Sequence, residues 1–453
     1  MIRYPPREAN GHPHGAVRAS QHTASPHDSP LDPRGAIRQT GRMQRPYLLT
    51  VNAGSSSLRC GLFTASDAAA AALRQDDPNT PTGELPEPIF GLHVELPSTR
   101  RAARLHVTAG EAKYSGSTSR GVVDQETALA EIFAWLAERG FRSGIGAVGH
   151  RIVHGGTHAA PALITPALLR TLESLAPLAP LHQPNDLAAV HAVHRQLPGA
   201  GQVACFDTAF HRSLPPRAHR LAVPVDIADL PLRRFGFHGL SYEAIAGEML
   251  RIAPAERRII AAHLGNGASL CAIDTGQSVD TTMGVTPLDG LPMGTRSGAL
   301  DPGLVLWLQR EGGHSPERLA ELLWRKSGLL ALSGTSADMR ILLDTDTGAA
   351  REAVEVFCYR VAQGMAAMAI ALGGVDAIAF SGGMGERAHP VRAGIAEHLG
   401  VLGVKLDPIA NATNRPVFSR PGSAVKLRIV PTDEEAIIAR HTARTLGLVP
   451  DQA

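Results

Sequence analysis

Two arginines stand where a cation is hard to place without an anion to meet it. Arg151 lies near the end of an apolar strand expected over Ile145 to Val153. Arg296 sits at the centre of Met283 to Gly303, a run of glycines and prolines without hydrophobic period. A guanidinium at an apolar strand end is costly unless a carboxylate or phosphate answers it. A surface salt bridge is the competing reading of Arg151. Asp207 follows the strand expected over Gln202 to Phe206, where α/β sheets deliver metal-ligating carboxylates, with an Asx turn as the alternative. His182 lies in a proline-braced loop, Ala176 to Asp186. His238 precedes a helix expected to start near Tyr242, where it either donates to an anion at the helix N-terminus or is structural. Two polar turns offer neutral donors: Asn52 to Ser57, with Gly54, Ser55, Ser56 and Ser57, and Gly265-Asn266-Gly267. Such turns suit phosphate oxygens, and an ordinary hairpin tip remains open for the first of them.

Both turns belong to hairpins. Leu48 to Phe63 reads as strand, turn, strand, alternating through Leu58, Cys60 and Leu62, and Ile259 to Asp274 repeats the design. Two such hairpins far apart predict two similar domains facing one ligand. A chain of 453 residues, 44% of them apolar, has the material for two cores. Further strands are expected over Phe90 to Leu96, Ala103 to Val107, Val375 to Phe380 and Leu427 to Val430. Helices are expected over Glu126 to Arg139, Pro316 to Trp324 and Arg351 to Leu372. The alanine run Ala68 to Ala72 and the proline-rich Asp76 to Pro88 read as a surface excursion. Thr432 and Glu435 have capping-box spacing for a last helix, and Glu434 fits its first turn.

Composition excludes several classes. Residues 1 to 46 hold seven arginines against three acids, so the net charge of +2 leaves a slightly acidic body with no field for nucleic acid. That arginine-rich start has no periodicity and is expected to be a disordered tail, with Met43 as an alternative start. No apolar run reaches the roughly 18 residues of a membrane span, and no secretory signal is recognised. Cys60, Cys205, Cys271 and Cys358 lack CxxC spacing and are expected to be reduced core residues in a cytoplasmic protein. The pair His150 and His154 has helical metal spacing but lies on strand pattern. No Gly-Lys dipeptide occurs, which excludes a P-loop. One rival site remains. Gly383-x-Gly385-x-x-Ala388 after a strand is a dinucleotide-type turn, with Asp407 placed as the ribose-binding acid of an NAD-dependent oxidoreductase.

Ten ordered segments from Tyr47 onward resemble the acetokinase family, within the actin, Hsp70 and sugar kinase superfamily. They are VNAGSSSL, GHRIVHGG, APLHQP, FDTAFH, FGFHGLS, AHLGNGAS, MGTRSG, SGTSADMR, FSGGMGER and PTDEEAIIAR. The resemblance implies an α/β, two-domain actin-like (ribonuclease H-like) fold, duplicated, with a nucleotide cleft between the domains. The expected division is a tail over 1–45, an N-terminal domain over 46–207 completed by a last helix over 436–453, and a nucleotide-binding domain over 208–435. It further implies a homodimer that transfers a phosphoryl group between ATP and acetate, giving acetyl phosphate and ADP, with Mg2+ or Mn2+. A propionate kinase of the same family and a non-catalytic or ATPase clamp are the alternatives.

Carried over by position, Asn52, Arg151, Arg296, His182 and His238 would surround the transferring group. Ser55, Ser56 and Ser57 would line the phosphate loop, and Asp207, Glu434 and Asn52 would organise the metal. His263, Gly265, Asn266 and Gly267 would meet the nucleotide phosphates, while Asp338, Met339, Arg340, Gly383, Met384 and Gly385 would surround the adenosine. Arg151, Val153, Leu181, Phe237 and Pro287 would form the substrate pocket. Ala299, Met339 and Arg387 depart from the family pattern, and the last two bear on nucleotide selectivity. Transfer to a carboxylate needs no covalent protein group and no general base, because the acceptor is already ionised at neutral pH.

Overall fold

The computed structural model describes residues 45–54, 57–73, 85–96, 103–118, 122–224, 227 and 232–450. The expected tail, Ser55, Ser56 and most of the proline-rich segment after residue 74 lie outside them. Two mixed sheets organise the rest. The first contains β1 (Tyr47–Ala53), β2 (Ser57–Thr64), β3 (Phe90–Glu95), β4 (Arg104–Ala109), β5 (Ala112–Ser117), β6 (Ile145–Ile152), β7 (Ala162–Leu163) and β8 (Gly201–Phe206), in the order β5-β4-β3-β2-β1-β6-β8-β7. The second contains β9 (Arg258–Leu264), β10 (Ala268–Asp274), β11 (Gln277–Thr281), β12 (Ala377–Ser381) and β13 (Lys426–Ile429), in the order β11-β10-β9-β12-β13.

The two sheets share one plan. In each, the first hairpin strand is central, antiparallel to its hairpin mate on one side and parallel to a later strand on the other. The hairpins legible in the sequence are therefore the corresponding units of a duplicated sheet. Runs such as Leu48 to Val51 and Ile259 to Ala262 are buried throughout, because a central strand is covered on both faces.

Four expectations change. The alanine run is a helix, Ala65–Leu73, that buries five alanines and packs on the final helix, Glu434–Leu446. Alanine is the strongest helix former, and its small side chain permits that close approach. The final helix is capped by Asp433, whose carboxylate accepts from Ala436 N at 2.8 Å, rather than by Thr432 in a box with Glu435. A carboxylate one residue further along reaches the free amide, so Glu435 turns elsewhere.

The helix expected near Tyr242 begins three residues earlier, at Gly239, with His238 as its N-cap in a left-handed conformation (φ 59°). Gly239 N donates to Asp207 O at 2.9 Å, and a Cβ on Gly239 would lie 2.1 Å from that oxygen, so only glycine fits. Asp407, finally, ends no sheet strand. It caps the short helix Pro408–Ala412, and the strand parallel to β12 on its outer side is β13, which removes the ribose-acid geometry of the oxidoreductase reading.

The helix Gly348–Leu372 is long and apolar enough by composition to cross a membrane. It instead contributes Phe357, Val361 and Met365 to the core beneath β9 and β10. The four cysteines are buried and unbridged.

Candidate active site

Strand ends and helix starts from both sheets converge on one polar centre. Arg151, next to the last residue of β6, donates from Nε to Asp207 Oδ1 at 3.1 Å and from Nη2 to Oδ2 at 2.6 Å. Its Nη1 reaches Asn52 Oδ1 at 3.4 Å, and Glu434 Oε2 lies 3.9 Å from Nε. Asn52, at the end of β1, donates from Nδ2 to Glu434 Oε2 at 2.9 Å and to Glu435 Oε1 at 3.3 Å. Parallel pairing of β1, β6 and β8 delivers Asn52, Arg151 and Asp207 to one edge, and the final helix points its first turn at the same place. Asp207 is completely buried. Burial works against the Arg151 guanidinium, but Asp207 and Glu434 outweigh it and hold the group above its ordinary range. The anion that answers Arg151 is thus the buried Asp207, with the half-buried Glu434 beside it, rather than a surface carboxylate.

Arg296 is placed differently. Only 6% of it is exposed, its Nη1 donates to the carbonyl of Pro287 at 2.6 Å, and among the described residues no carboxylate lies within ion-pair distance. Burial, with Arg151 nearby, lowers its pKa to about 10. Gly267 makes room for it, since a Cβ there would sit 2.5 Å from Arg296 Nη2. A buried guanidinium that has a carbonyl but no counter-charge is an anion site in waiting.

Three histidines line the space between the arginines. His238 is held through Nδ1 to Ser269 Oγ at 2.8 Å, and His263 through Nδ1 to Ser241 Oγ at 2.7 Å, with the rings stacked 4.3 Å apart. His182 caps the helix Gln183–Gln196, its Nδ1 buried without a partner. Burial first, then the arginine charges for His182, and His263 followed by the arginines for His238, pushes both well below the ordinary histidine range, so both are neutral at pH 7.

A set of packed apolar side chains adjoins this centre. Val153 and Phe237 are buried in one cluster, Pro287 is buried beneath Arg296, and Leu181 is half-buried next to His182. On the other side, the β9–β10 turn leaves Asn266 exposed, and nothing stands within 4 Å of where a Cβ on Gly383 would lie. Gly385 is buried, with its carbonyl held by Arg392, and Met384 is half-buried. Asp338 caps the helix Met339–Asp344 and pairs with Arg340 at 2.7 Å. Met339 is buried in the core, so its side chain does not face open space.

The donor set suits a hard divalent cation. Asp207, Glu434 and the Asn52 amide offer oxygens at one point. Among the described residues no cluster of three or more His, Cys, Asp or Glu could hold a metal unaided. An ion placed here would need phosphate oxygens and water to complete its shell, which is the habit of Mg2+.

Sequence reasoning missed Glu435, taken for a capping residue, and also Gln183, Asp186 and His154, which brace the β6 exit. Gln183 bonds both backbone groups of His154, and Asp186 Oδ2 accepts from Val153 N at 2.9 Å. His150, the other member of the suspected metal pair, is bound to Gln202 at 2.8 Å. The available signal was the density of polar residues in Leu181 to Asp186 at the start of a helix.

The chain is similar to known proteins in sequence and in fold. The acetokinase family matches this chain over residues 47–440. An acetate kinase of Methylocella silvestris is 43% identical over 404 residues, covering 88% of this chain and 98% of that protein. One from Rhodopseudomonas palustris is 41% identical over the same shares. Among solved structures, a propionate kinase from Francisella tularensis superposes with a TM-score of 0.76 at 30% identity, over 87% of this chain and 98% of the other. Porphyromonas gingivalis acetate kinase gives a TM-score of 0.72 at 34% identity, over 88% and 99%. With the two-sheet α/β fold, the length and the sequence all in agreement, this chain belongs to the acetokinase family.

Proposed function

We propose that the chain is an acetate kinase, carrying the γ-phosphoryl group of ATP directly to the carboxylate of acetate and back. The observation that carries this reading is the pair of arginines at one centre, Arg151 answered by carboxylates and Arg296 by none among the described residues, beside a set of apolar side chains. An acetate oxygen attacks the γ-phosphorus in line. The new O–P bond forms as the bond to the bridging oxygen breaks, and its electron pair leaves with ADP. Arg296 meets the charge spread over the equatorial oxygens, while Arg151 exchanges its hold on Asp207 for the same oxygens. Neutral His182 and His238 donate without adding repulsion to the arginines. Asp207, Glu434 and Asn52 would hold Mg2+, which supplies charge neutralisation on the nucleotide phosphates. Val153, Leu181, Phe237 and Pro287 enclose the methyl group. Asn266, Gly265 and Gly267 face the phosphates, and Gly383, Met384 and the Asp338 to Arg340 turn face the adenosine.

Unbridged cysteines fit a reducing cytoplasm. The helix Pro302–Arg310 buries none of its residues and exposes Leu304, Leu306 and Trp307, an apolar face suited to a second copy in a homodimer. The deciding experiment supplies ATP, magnesium and a panel of short carboxylates, with hydroxylamine to trap acyl phosphate. Hydroxamate from acetate is expected. Inorganic phosphate release without hydroxamate would make the chain an ATPase clamp instead, and a larger kcat/KM for propionate would make it a propionate kinase.

A further inference from the structure

Val153 and Pro287, two residues of the proposed acyl pocket, come from opposite parts of the chain, and one side chain spans the gap between their segments. His154 is completely buried. Its backbone is fixed by Gln183, whose Oε1 accepts from His154 N at 3.0 Å and whose Nε2 donates to His154 O at 3.0 Å and to Leu172 O at 3.1 Å. Its ring is fixed as well. Gly156 N donates to Nδ1 at 3.1 Å, so that nitrogen carries no proton and Nε2 does. The Nε2–H points at the carbonyl of Val285, 3.3 Å away and 131 residues along the chain. Phe235 and Phe237 close on the ring edge-to-face, with centroids at 4.6 and 5.4 Å. Burial keeps the imidazole pKa down at about 4, so the neutral form persists. Two residues beyond Val285, the Pro287 carbonyl receives Arg296 Nη1 at 2.6 Å.

We propose that His154 is a positioning residue that sets substrate size: its Nε2–H bond to the Val285 carbonyl fixes the separation of Val153 from Pro287. This rests on the reading of Val153, Leu181, Phe237 and Pro287 as the acyl pocket. The bond joins the exit of β6 to the irregular loop that carries Arg296, so its loss lets the loop retreat. The pocket then widens on the side away from the nucleotide. Acetate loses contacts, longer acids gain room, and ATP binding is untouched.

Two near-isosteric variants separate the bond from mere filling of space. His154→Asn keeps an oxygen where Nδ1 accepts from Gly156 but has no donor long enough for Val285. His154→Gln can place an amide N–H near the position of Nε2. In His154→Asn the KM for acetate is expected to rise about tenfold, and the propionate-to-acetate ratio of kcat/KM to rise by about tenfold, at the lower end of what one methylene is worth. The KM for ATP should stay within about twofold, the sign that ground-state binding of only one substrate has been lost. His154→Gln should restore most of the selectivity. An unchanged ratio in His154→Asn, equal selectivity in the two variants, or parallel rises in both KM values would overturn the proposal.

A second measurement needs no activity. Nitrogen-15 spectra of the full chain should show His154 protonated at Nε2 and bare at Nδ1 at neutral pH, and a proton on Nδ1 or a charged ring would remove the bond. If the wild-type chain phosphorylates no short carboxylate, the acyl pocket falls and the selectivity claim with it, while the ring spectrum still decides whether the bond exists.

Discussion

The two sheets are built to one topology and used for opposite electrostatic purposes. At the edge of the first sheet, Asn52, Arg151, Asp207, Glu434 and Glu435 form a network in which carboxylates outnumber the arginine. Around the hairpin of the second, Arg296 faces Gly267 and a proline carbonyl, with no carboxylate in reach among the described residues. The first edge therefore suits a cation brought by the substrate, and the second an anion. A metal nucleotide carries both, so a duplicated fold can grip one ligand with two unlike halves only after the copies have diverged in side chains.

The sharpest way to break this comparison is kinetic. Arg151→Ala and Arg296→Ala should each lower kcat by about 10² to 10⁵, the range for preorganised donors and arginine fingers. Arg296→Lys should recover part of the rate, because charge remains while the planar fork is lost. The double variant should cost less than the two single losses combined, since both groups act on one transition state. Steady-state acyl phosphate formation gives all four values. Near-wild-type kcat in a folded alanine variant would remove that arginine from the clamp.

Stability should divide the same pair. Removing Arg151 leaves the buried Asp207 without its counter-charge, a loss of about 3 to 5 kcal/mol for a broken buried pair. Removing Arg296 deletes a buried cation that has a carbonyl partner but, among the described residues, no carboxylate, so its melting temperature should stay level or rise. Melting curves without nucleotide or metal measure this, and equal destabilisation of the two variants would contradict the asymmetry.

A smaller effect probes the proposed acyl pocket between the halves. Val153→Ala should raise the kcat/KM for propionate relative to acetate by an amount worth about 1 to 3 kcal/mol. An unchanged ratio would place the methyl-binding wall elsewhere.

The smallest effect concerns the acids of the first edge. Burial, then the neighbouring Glu434 and Asp433, pushes the Glu435 carboxyl from 4.5 up to about 7. The folded protein keeps a proton that the unfolded chain gives up across that interval. The associated stability is fully present below the lower value and is lost as pH rises through the higher one. Glu435→Gln, neutral at every pH, should flatten that slope in melting temperature between pH 4.5 and 7. A slope that persists would assign it to another group.

Much of this arrangement was legible along the chain. The hairpins at Asn52 and at Gly265 announced themselves through alternation and glycine, and Arg151, Asp207 and Arg296 through being polar at places that apolar or irregular sequence makes expensive. The alanine helix Ala65–Leu73 was not legible, because an alanine run has no hydrophobic period to read. Its burial comes from a final helix more than 360 residues away. Glu435 was misread for a related reason. Capping-box spacing is a local pattern, and a competing local cap at Asp433 freed the side chain for Asn52.

What the sequence determined by itself was which residue types stand at each strand end and turn, since period, turn chemistry and charge are local properties carried by neighbours in the chain. Which of those residues meet was decided only by the tertiary structure. Arg151 and Arg296 look alike as isolated arginines at awkward positions, and their difference lies wholly in what surrounds them. Parallel pairing of β6 with β8 brings Asp207 to Arg151, and the last helix adds Glu434, while the loop around Arg296 packs it against Gly267 and Pro287 with no carboxylate in ion-pair reach among the described residues. Coulomb interactions act through space and are strongest where water is excluded, so the charge state and use of each arginine follow from contacts between segments far apart along the chain.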